Sequence, residues 1–267
     1  MNMSRYGLSA AACVVVITAW LLPLEVDAAS LAEVKERGWL RVCAHPAALP
    51  FSSQDRAQPG FQLEIADAIA KVLGVKVIPD WIVFTRHARR ASCDAIIGAV
   101  VPLIEDKAPP ARGGLLTNAY AGSGYVLLVP RADSAVHRVE DVKSGKVGVE
   151  YTSWPHYLLQ THGIGITAYR DQTEIIEAVV KGEVAAGMVT DPYLGWFLKE
   201  HPDAAVKVAD GYVRDPELQW NVAVRLVNAD QPLRDAVNQV LDQLLADRTI
   251  QDILAKYGLT YLPPFKR

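Results

Sequence analysis

"GFQLEIADAIAKVLGVKV" spans Gly60–Val77 and decides how the rest of the chain reads. Phe61, Ile65, Ala68, Ile69 and Val72 recur at helical spacing, which predicts a helix with one apolar face. Gly74 stands where a left-handed C-cap belongs, and Val75 and Val77 then alternate as in a strand. "WLRVCA" (Trp39–Ala44) reads as a strand ahead of this helix. Strands alternating with helices imply an α/β fold with a parallel sheet covered on both faces.

Working outward, Leu31–Arg37 reads as a short amphipathic helix closed by Gly38. Between the first strand and the Gly60 helix, Pro46 and Pro50 stiffen a loop that presents Phe51. Ligands of open α/β sheets collect at the carboxyl ends of strands. Phe51 is therefore a candidate cleft residue, with a plug in its own lobe's core as the alternative. "VKVIPDW" (Val75–Trp81) is the second strand, and "CDAIIGAVV" (Cys93–Val101) is the third. Between them a short helical segment carries Arg86, His87, Arg89 and Arg90. That cluster reads as a solvated face or as a docking surface for an acidic partner. Leu103–Gly114 is rich in Pro and Gly without a period, and reads as a loop.

A second unit follows. "SGYVLLVPRADS" (Ser123–Ser134) is a long strand ending in a turn, and "VEDVKSGKVGVE" (Val139–Glu150) is a short helix, a turn and a strand. Ser153 caps a helix with Pro155 in its first turn. Gln172–Gly182 is a helix burying Ile175, Ile176 and Val179. "EVAAGMVTD" is a buried strand ending at Asp191, "WNVAVRL" (Trp220–Leu226) is another strand, and Gln231–Tyr257 forms two closing helices. The chain crosses between the two units at Tyr125–Val129 and at Trp220–Arg225, which predicts a hinge. The cleft between lobes is then the default ligand site. The expected boundaries are residues 29–126 and 222–267 for lobe one, and 127–221 for lobe two.

The 267-residue chain carries a net charge of −3, without the basic excess a nucleic-acid partner would need. Arg5, the apolar run Gly7–Leu22 and the small residues at Val26-Asp27-Ala28 read as a signal peptide over residues 1–28. A membrane anchor is the alternative, but the run falls short of the roughly 20 residues a span needs. Cys13 sits at the start of that run, which argues against a lipoprotein site. The remaining length suffices for two modest cores. Cys43 and Cys93 then remain, and an exported chain favours a disulfide between them over two buried thiols. Two cysteines are too few for a structural zinc site. Glu64, Glu150 and Asp191 stand apart in sequence, and neither a Ser/His/Asp arrangement nor a cofactor motif accompanies them. Catalysis and a cofactor are therefore not expected.

Taken in order, these segments resemble the family 3 periplasmic solute-binding proteins, the class that includes polar amino-acid receptors. "LRVCAHPAALPF" followed by the Gly60 helix is similar to the family's opening, and "CDAIIGA" to its third strand. "YAGSGYVLLV" is similar to its first hinge strand. "EDVKSGKVGVEYTSWPHYLL" resembles the start of the second lobe. "IEAVVKGEVAAGMVTDPYLGWFL" resembles the helix and strand that deliver a cleft aspartate, and "LRDAVNQVLDQLLADRTIQDILAKYG" the closing helices. The resemblance implies a two-lobe type II binding-protein fold with a hinge of two crossing strands. It implies a monomer in the periplasm that presents a small solute to a membrane ABC permease.

The resemblance also assigns residues. Asp191 falls where the family binds an amine, and Tyr151, Thr152 and Ser153 precede a helix whose free N–H groups suit an anion or hydroxyl. Plain capping is the alternative for Thr152 and Ser153. The family's Thr-x-x-Arg, whose guanidinium forks onto a ligand carboxylate, is absent from "VVPLIEDKAPPARGG" (Val100–Gly114). Arg112 is the nearest arginine, as a ligand contact or a surface charge. Weak binding of plain α-amino acids is expected. Within the family, cysteines at "RVCA" and "SCDAII" resemble the branch encoded beside periplasmic quinoprotein alcohol dehydrogenases. That branch implies an accessory partner of such a dehydrogenase as the alternative function. A cyclohexadienyl-dehydratase-like enzyme ranks last, because neither a carboxylate clamp nor a positioned acid is visible.

Overall fold

The computed structural model describes residues 29–83, 92–104, 114–132, 135–142 and 146–266. The expected signal peptide at 1–28, the Arg86–Arg90 cluster and Arg112 lie outside the described residues. Helix α1 (Leu31–Arg37) opens on a capping box: Ser30 Oγ accepts from Glu33 N–H, and Glu33 Oε2 accepts from Ser30 N–H at 2.8 Å. Gly38 ends it at φ 77°. Strand β1 (Trp39–Ala44) leads into a small hairpin, β2 (Ala47–Ala48) with β3 (Ser52–Ser53), which folds the proline loop back on itself.

Helix α2 (Phe61–Leu73) buries Phe61, Ile65 and Ile69 as its spacing predicts. Val72 departs from that expectation and is exposed. It shares Ile65's face, two turns on, in the helix's last turn, where it is Leu73 that packs against the core. Leu63, Ala66 and Ala70 complete the buried face instead.

The strands that follow are β4 (Lys76–Trp81), β5 (Ala95–Pro102), β6 (Leu115–Leu116), β7 (Ala121–Pro130), β8 (Val147–Glu150), β9 (Ile166–Tyr169), β10 (Ala186–Thr190), β11 (Val206–Val208) and β12 (Gln219–Leu226). The helices are α3 (Trp154–Thr161), α4 (Gln172–Val180), α5 (Asp191–Glu200), α6 (Gln231–Ala246) and α7 (Thr249–Lys256). The main sheet runs β4-β1-β5-β12-β7-β10-β8-β9, with β6 on β12 and β11 on β7.

The sheet is mixed: the parallel order expected from the first unit's strands holds among β4, β1 and β5 and gives way at the centre. Its outer pairs, β1 with β4 and β5 and β8 with β9 and β10, are parallel. Its centre, β5-β12-β7-β10, is antiparallel. β12 runs opposite to both of its neighbours, β5 and β7, and β7 runs opposite to β10. The first half of β7 pairs with β12 through Ala121–Gly124, and its second half pairs with β10 and β11. One strand is thus shared by both lobes of an α/β two-lobe fold.

Each outer set repeats one plan. β1 has β4 on one side and β5 on the other, and β8 has β9 on one side and β10 on the other. A crevice opens at the carboxyl end where such an order reverses. Lobe one's core gathers β1, α2, β5, β12, α6 and α7 around Leu40, Ile65, Ile97, Val224 and Leu241. In lobe two, Val126 and Leu128 of β7 face one cluster with Ile175 and Val179. Leu127 and Val129 face the opposite cluster with Val149 and Leu159. The period of two along β7 covers both faces of the second lobe's sheet. Cys43 and Cys93 form a disulfide, with Cα atoms 5.4 Å apart, that ties the end of β1 to the approach to β5.

Candidate functional site

The loop after β1 is built to hold Phe51 in place. Pro50 O accepts from Phe61 N–H at 2.9 Å, and Phe51 O accepts from Gln62 N–H at 3.0 Å, so the loop's carbonyls satisfy the open end of α2. Gly60, at φ 92°, makes this contact possible: a Cβ there would lie 2.4 Å from Phe51 O. Gly60 N–H donates to Tyr257 Oη at 2.9 Å, and that hydroxyl donates to Glu64 Oε1 at 2.6 Å. Burial first, and the bond to Glu64 second, hold the Tyr257 hydroxyl well above its ordinary pKa. The Phe51 ring then meets Phe61 at 5.3 Å and, across the lobes, Tyr193 at 5.6 Å.

In lobe two, Gln172 fixes the strand ends. Its Oε1 accepts from both Thr190 N–H and Thr190 Oγ1–H, at 2.8 and 3.0 Å, and its Nε2 donates to Glu150 Oε2 at 3.1 Å. Beyond Glu150, Tyr151 is 66% exposed and Thr152 holds a left-handed φ of 60°. Ser153 Oγ accepts from His156 N–H at 3.3 Å and caps α3. Beyond Thr190, Asp191 is the first residue of α5 and not merely a strand end.

Asp191 is already paired. Arg214 donates to its Oδ1, from the segment between β11 and β12. Burial pushes the Asp191 carboxyl above its ordinary range, opposed by the charge and the hydrogen bond of Arg214 and, after them, by the Gly124 backbone N–H. Asp191 Oδ2, Arg214 Nε and Ser123 Oγ are buried without a hydrogen-bond partner. All three residues border one cavity.

That cavity has a volume of about 590 Å³ and lies between the lobes. Phe51, Gln62 and Val222 line it from lobe one, and Asp191, Leu194 and Leu198 from lobe two. Gln62 lies over Gly98, where a Cβ would stand 2.0 Å from its amide nitrogen. A smaller cavity of about 320 Å³ adjoins it, sharing Val100, Thr190 and Trp220. Its walls include Tyr125 and Trp154, and the Tyr125 and Trp220 rings meet edge to face at 5.5 Å. Phe51 and Asp191 thus share the larger cavity, whereas Tyr151, Thr152 and Ser153 are not among the described residues lining either one.

The lobes also touch directly at α5. Gly195 packs on Gly258 so closely that a Cβ on Gly195 would be 2.5 Å from Gly258 O. Trp196 meets Tyr257 at 5.9 Å, and Lys199 Nζ donates to Lys256 O at 2.6 Å. Sequence reasoning missed Gln62, Ser123, Tyr193, Arg214 and Trp220. Gln62 lies two residues after Gly60, on a helix turn that faces the strand ends, and could have been found that way. Arg214 sits in "ADGYVRDPELQ", which has no period to read.

The chain aligns at 26% identity with the L-cystine-binding protein TcyJ of Escherichia coli K12, over 96% of each chain. The L-cystine solute receptor of Neisseria gonorrhoeae, in its unliganded open conformation, superposes with a TM-score of 0.71 at 17% identity, covering 88% of this chain and 99% of that one. The periplasmic binding protein XoxJ from Methylobacterium extorquens AM1 superposes with a TM-score of 0.64 at 25% identity, covering 85% and 100%. A model of the bacterial extracellular solute-binding proteins, family 3, matches residues 40–260. With its two lobes, its shared strand and a cavity between them, the chain belongs to the bacterial extracellular solute-binding proteins, family 3.

Proposed function

We propose that this solute-binding protein works in the periplasm, closing its two lobes on a small solute and presenting it to a membrane ABC permease, without catalysing a reaction. The observation that carries this reading is the cavity of about 590 Å³, walled by Phe51 from one lobe and Asp191 from the other. That volume falls in the range of small-molecule sites. Closure follows from a solute's greater affinity for the shut state. Phe51, Asp191 and the newly found Arg214 and Trp220 are the contacts we assign. Thr152 and Ser153 stand at the entry to α3, where Ser153 is its N-cap, and we place the lobe boundaries near 126 and 221.

The test is a thermal-shift screen of the purified protein against metabolites, begun with L-cystine, followed by calorimetry on the strongest stabiliser. One-to-one binding that Phe51→Ala weakens is expected. Binding that ignores Phe51→Ala would reject the cavity as the site.

A second reading, an accessory partner of a periplasmic quinoprotein alcohol dehydrogenase, is favoured by the Cys43–Cys93 disulfide. Those are the cysteines on which the narrower resemblance rests. Calorimetric mixing with the purified dehydrogenase tests it: a saturable complex supports this role, and none would remove it.

A further inference from the structure

The larger cavity holds one acid and one base among its described lining residues, Asp191 and Arg214, and they are bonded to each other. Their side chains are only 24% and 27% exposed. Arg214 is not a loose surface chain. Its backbone carbonyl accepts from Gln219 Nε2 at 2.9 Å, and its Cδ lies over Gly124, 3.5 Å from where a Cβ would stand. The pair is a poor device for stability, since Asp191 Oδ2 and Arg214 Nε stay buried without partners. A partly desolvated pair with unmet hydrogen bonds is often no better than apolar side chains of the same volume. Its placement in the cavity wall calls for another role.

Consider what each kind of solute meets there. A cation approaching Asp191 meets a carboxylate whose charge Arg214 already offsets at Oδ1, and an anion approaching Arg214 meets a guanidinium already offset by Asp191. A zwitterion faces both losses at once. An uncharged solute leaves the pair whole and lies against Phe51, Leu194, Leu198 and Trp220. We infer that the Arg214–Asp191 pair is a charge filter, with Arg214 as the built-in counter-ion of Asp191, so that the cavity takes uncharged solutes with an aromatic or aliphatic body. This inference rests on the reading of the cavity as the solute site.

The test uses four matched titrants in calorimetry: 2-phenylethanol, phenethylammonium, 3-phenylpropionate and L-phenylalanine. The proteins are the parent, Arg214→Met, Asp191→Asn and the double variant. The parent binds the alcohol in preference to the three charged titrants. Arg214→Met gains at least about 10-fold for phenethylammonium, and Asp191→Asn gains at least about 10-fold for 3-phenylpropionate, the lower end for close charge pairs. The double variant gains neither. If one single variant does not fold, the other decides alone. A parent that binds a charged titrant as tightly as the alcohol, or a folded single variant without its gain, overturns the filter. The two failures separate. Tight binding of a charged solute by the parent rejects the filter and leaves the solute-binding reading intact. A broad screen in which neither the parent nor any variant binds a titrant rejects the solute reading itself, and the filter with it.

Discussion

Replacing both Cys43 and Cys93 by alanine should cost this protein a large part of lobe one's stability. The disulfide closes a loop with a sequence separation of 50. Releasing that constraint on the unfolded chain is worth about 4 kcal/mol in the chain-entropy account. The double substitution avoids leaving one thiol free; Cys43 is only partly buried, whereas Cys93 is buried, so its truncation adds a packing loss in the same direction. Urea melts of the parent and variant measure the effect. With a slope near 3 kcal/mol/M, the midpoint should fall by roughly 1 M. The slope should also rise, because the unfolded variant exposes more surface. There is a functional consequence. The bridge joins the end of β1, which feeds the Phe51 loop, to the approach to β5, whose Val100 and Gly98 line the cavity. Solute affinity should therefore weaken even where the variant is fully folded. A midpoint shift under about 0.3 M would refute the argument, because the loop constraint would then not be acting on the unfolded state.

Gly195→Leu should leave each lobe folded but reduce solute affinity, since a Cβ at Gly195 meets Gly258 O across the lobes. Small-angle scattering in the presence of solute should show a more extended particle than the parent. Asp191 should titrate above 3.8 by carboxyl NMR, while Asp141, Asp210 and Asp247 titrate below it. The signs follow: Asp191 favours the folded state most at low pH, and that contribution declines as pH rises through its raised pKa. The three lowered carboxyls contribute above 3.8 and lose their contribution as pH falls through their folded values. N-terminal sequencing of exported protein should begin at Ala29, and an intact Met1 would reject the leader assignment.

The fold was largely legible because its elements carry strong local signals. The Gly60 helix, the capped helix at Ser153 and the closing pair after Gln231 stand where the spacing puts them. The sheet's antiparallel centre was not legible. Whether β12 joins β5 and β7 depends on pairings more than 90 residues apart, roughly the scale at which local patterns carry no information. Strands of two to four residues, such as β2, β6 and β9, leave too short a period to detect. At the site, Phe51 and Asp191 follow elements whose ends are visible in sequence, so both could be named. Arg214 is placed by its partner, and nothing in "ADGYVRDPELQ" announces that partner. Ser153 satisfied its local capping signal, which competes with any role in the cavity.

Calorimetry on the strongest stabiliser, run in parallel on the parent, Phe51→Ala and Trp220→Ala, tests the central claim most directly. Both rings line the larger cavity, and Trp220 also lines the smaller one. Truncating an aromatic anchor at a buried site costs about 2 kcal/mol or more. The account predicts one solute per chain, bound at least about 10-fold more weakly by each variant. Unchanged affinity in both folded variants would place the solute elsewhere and contradict it.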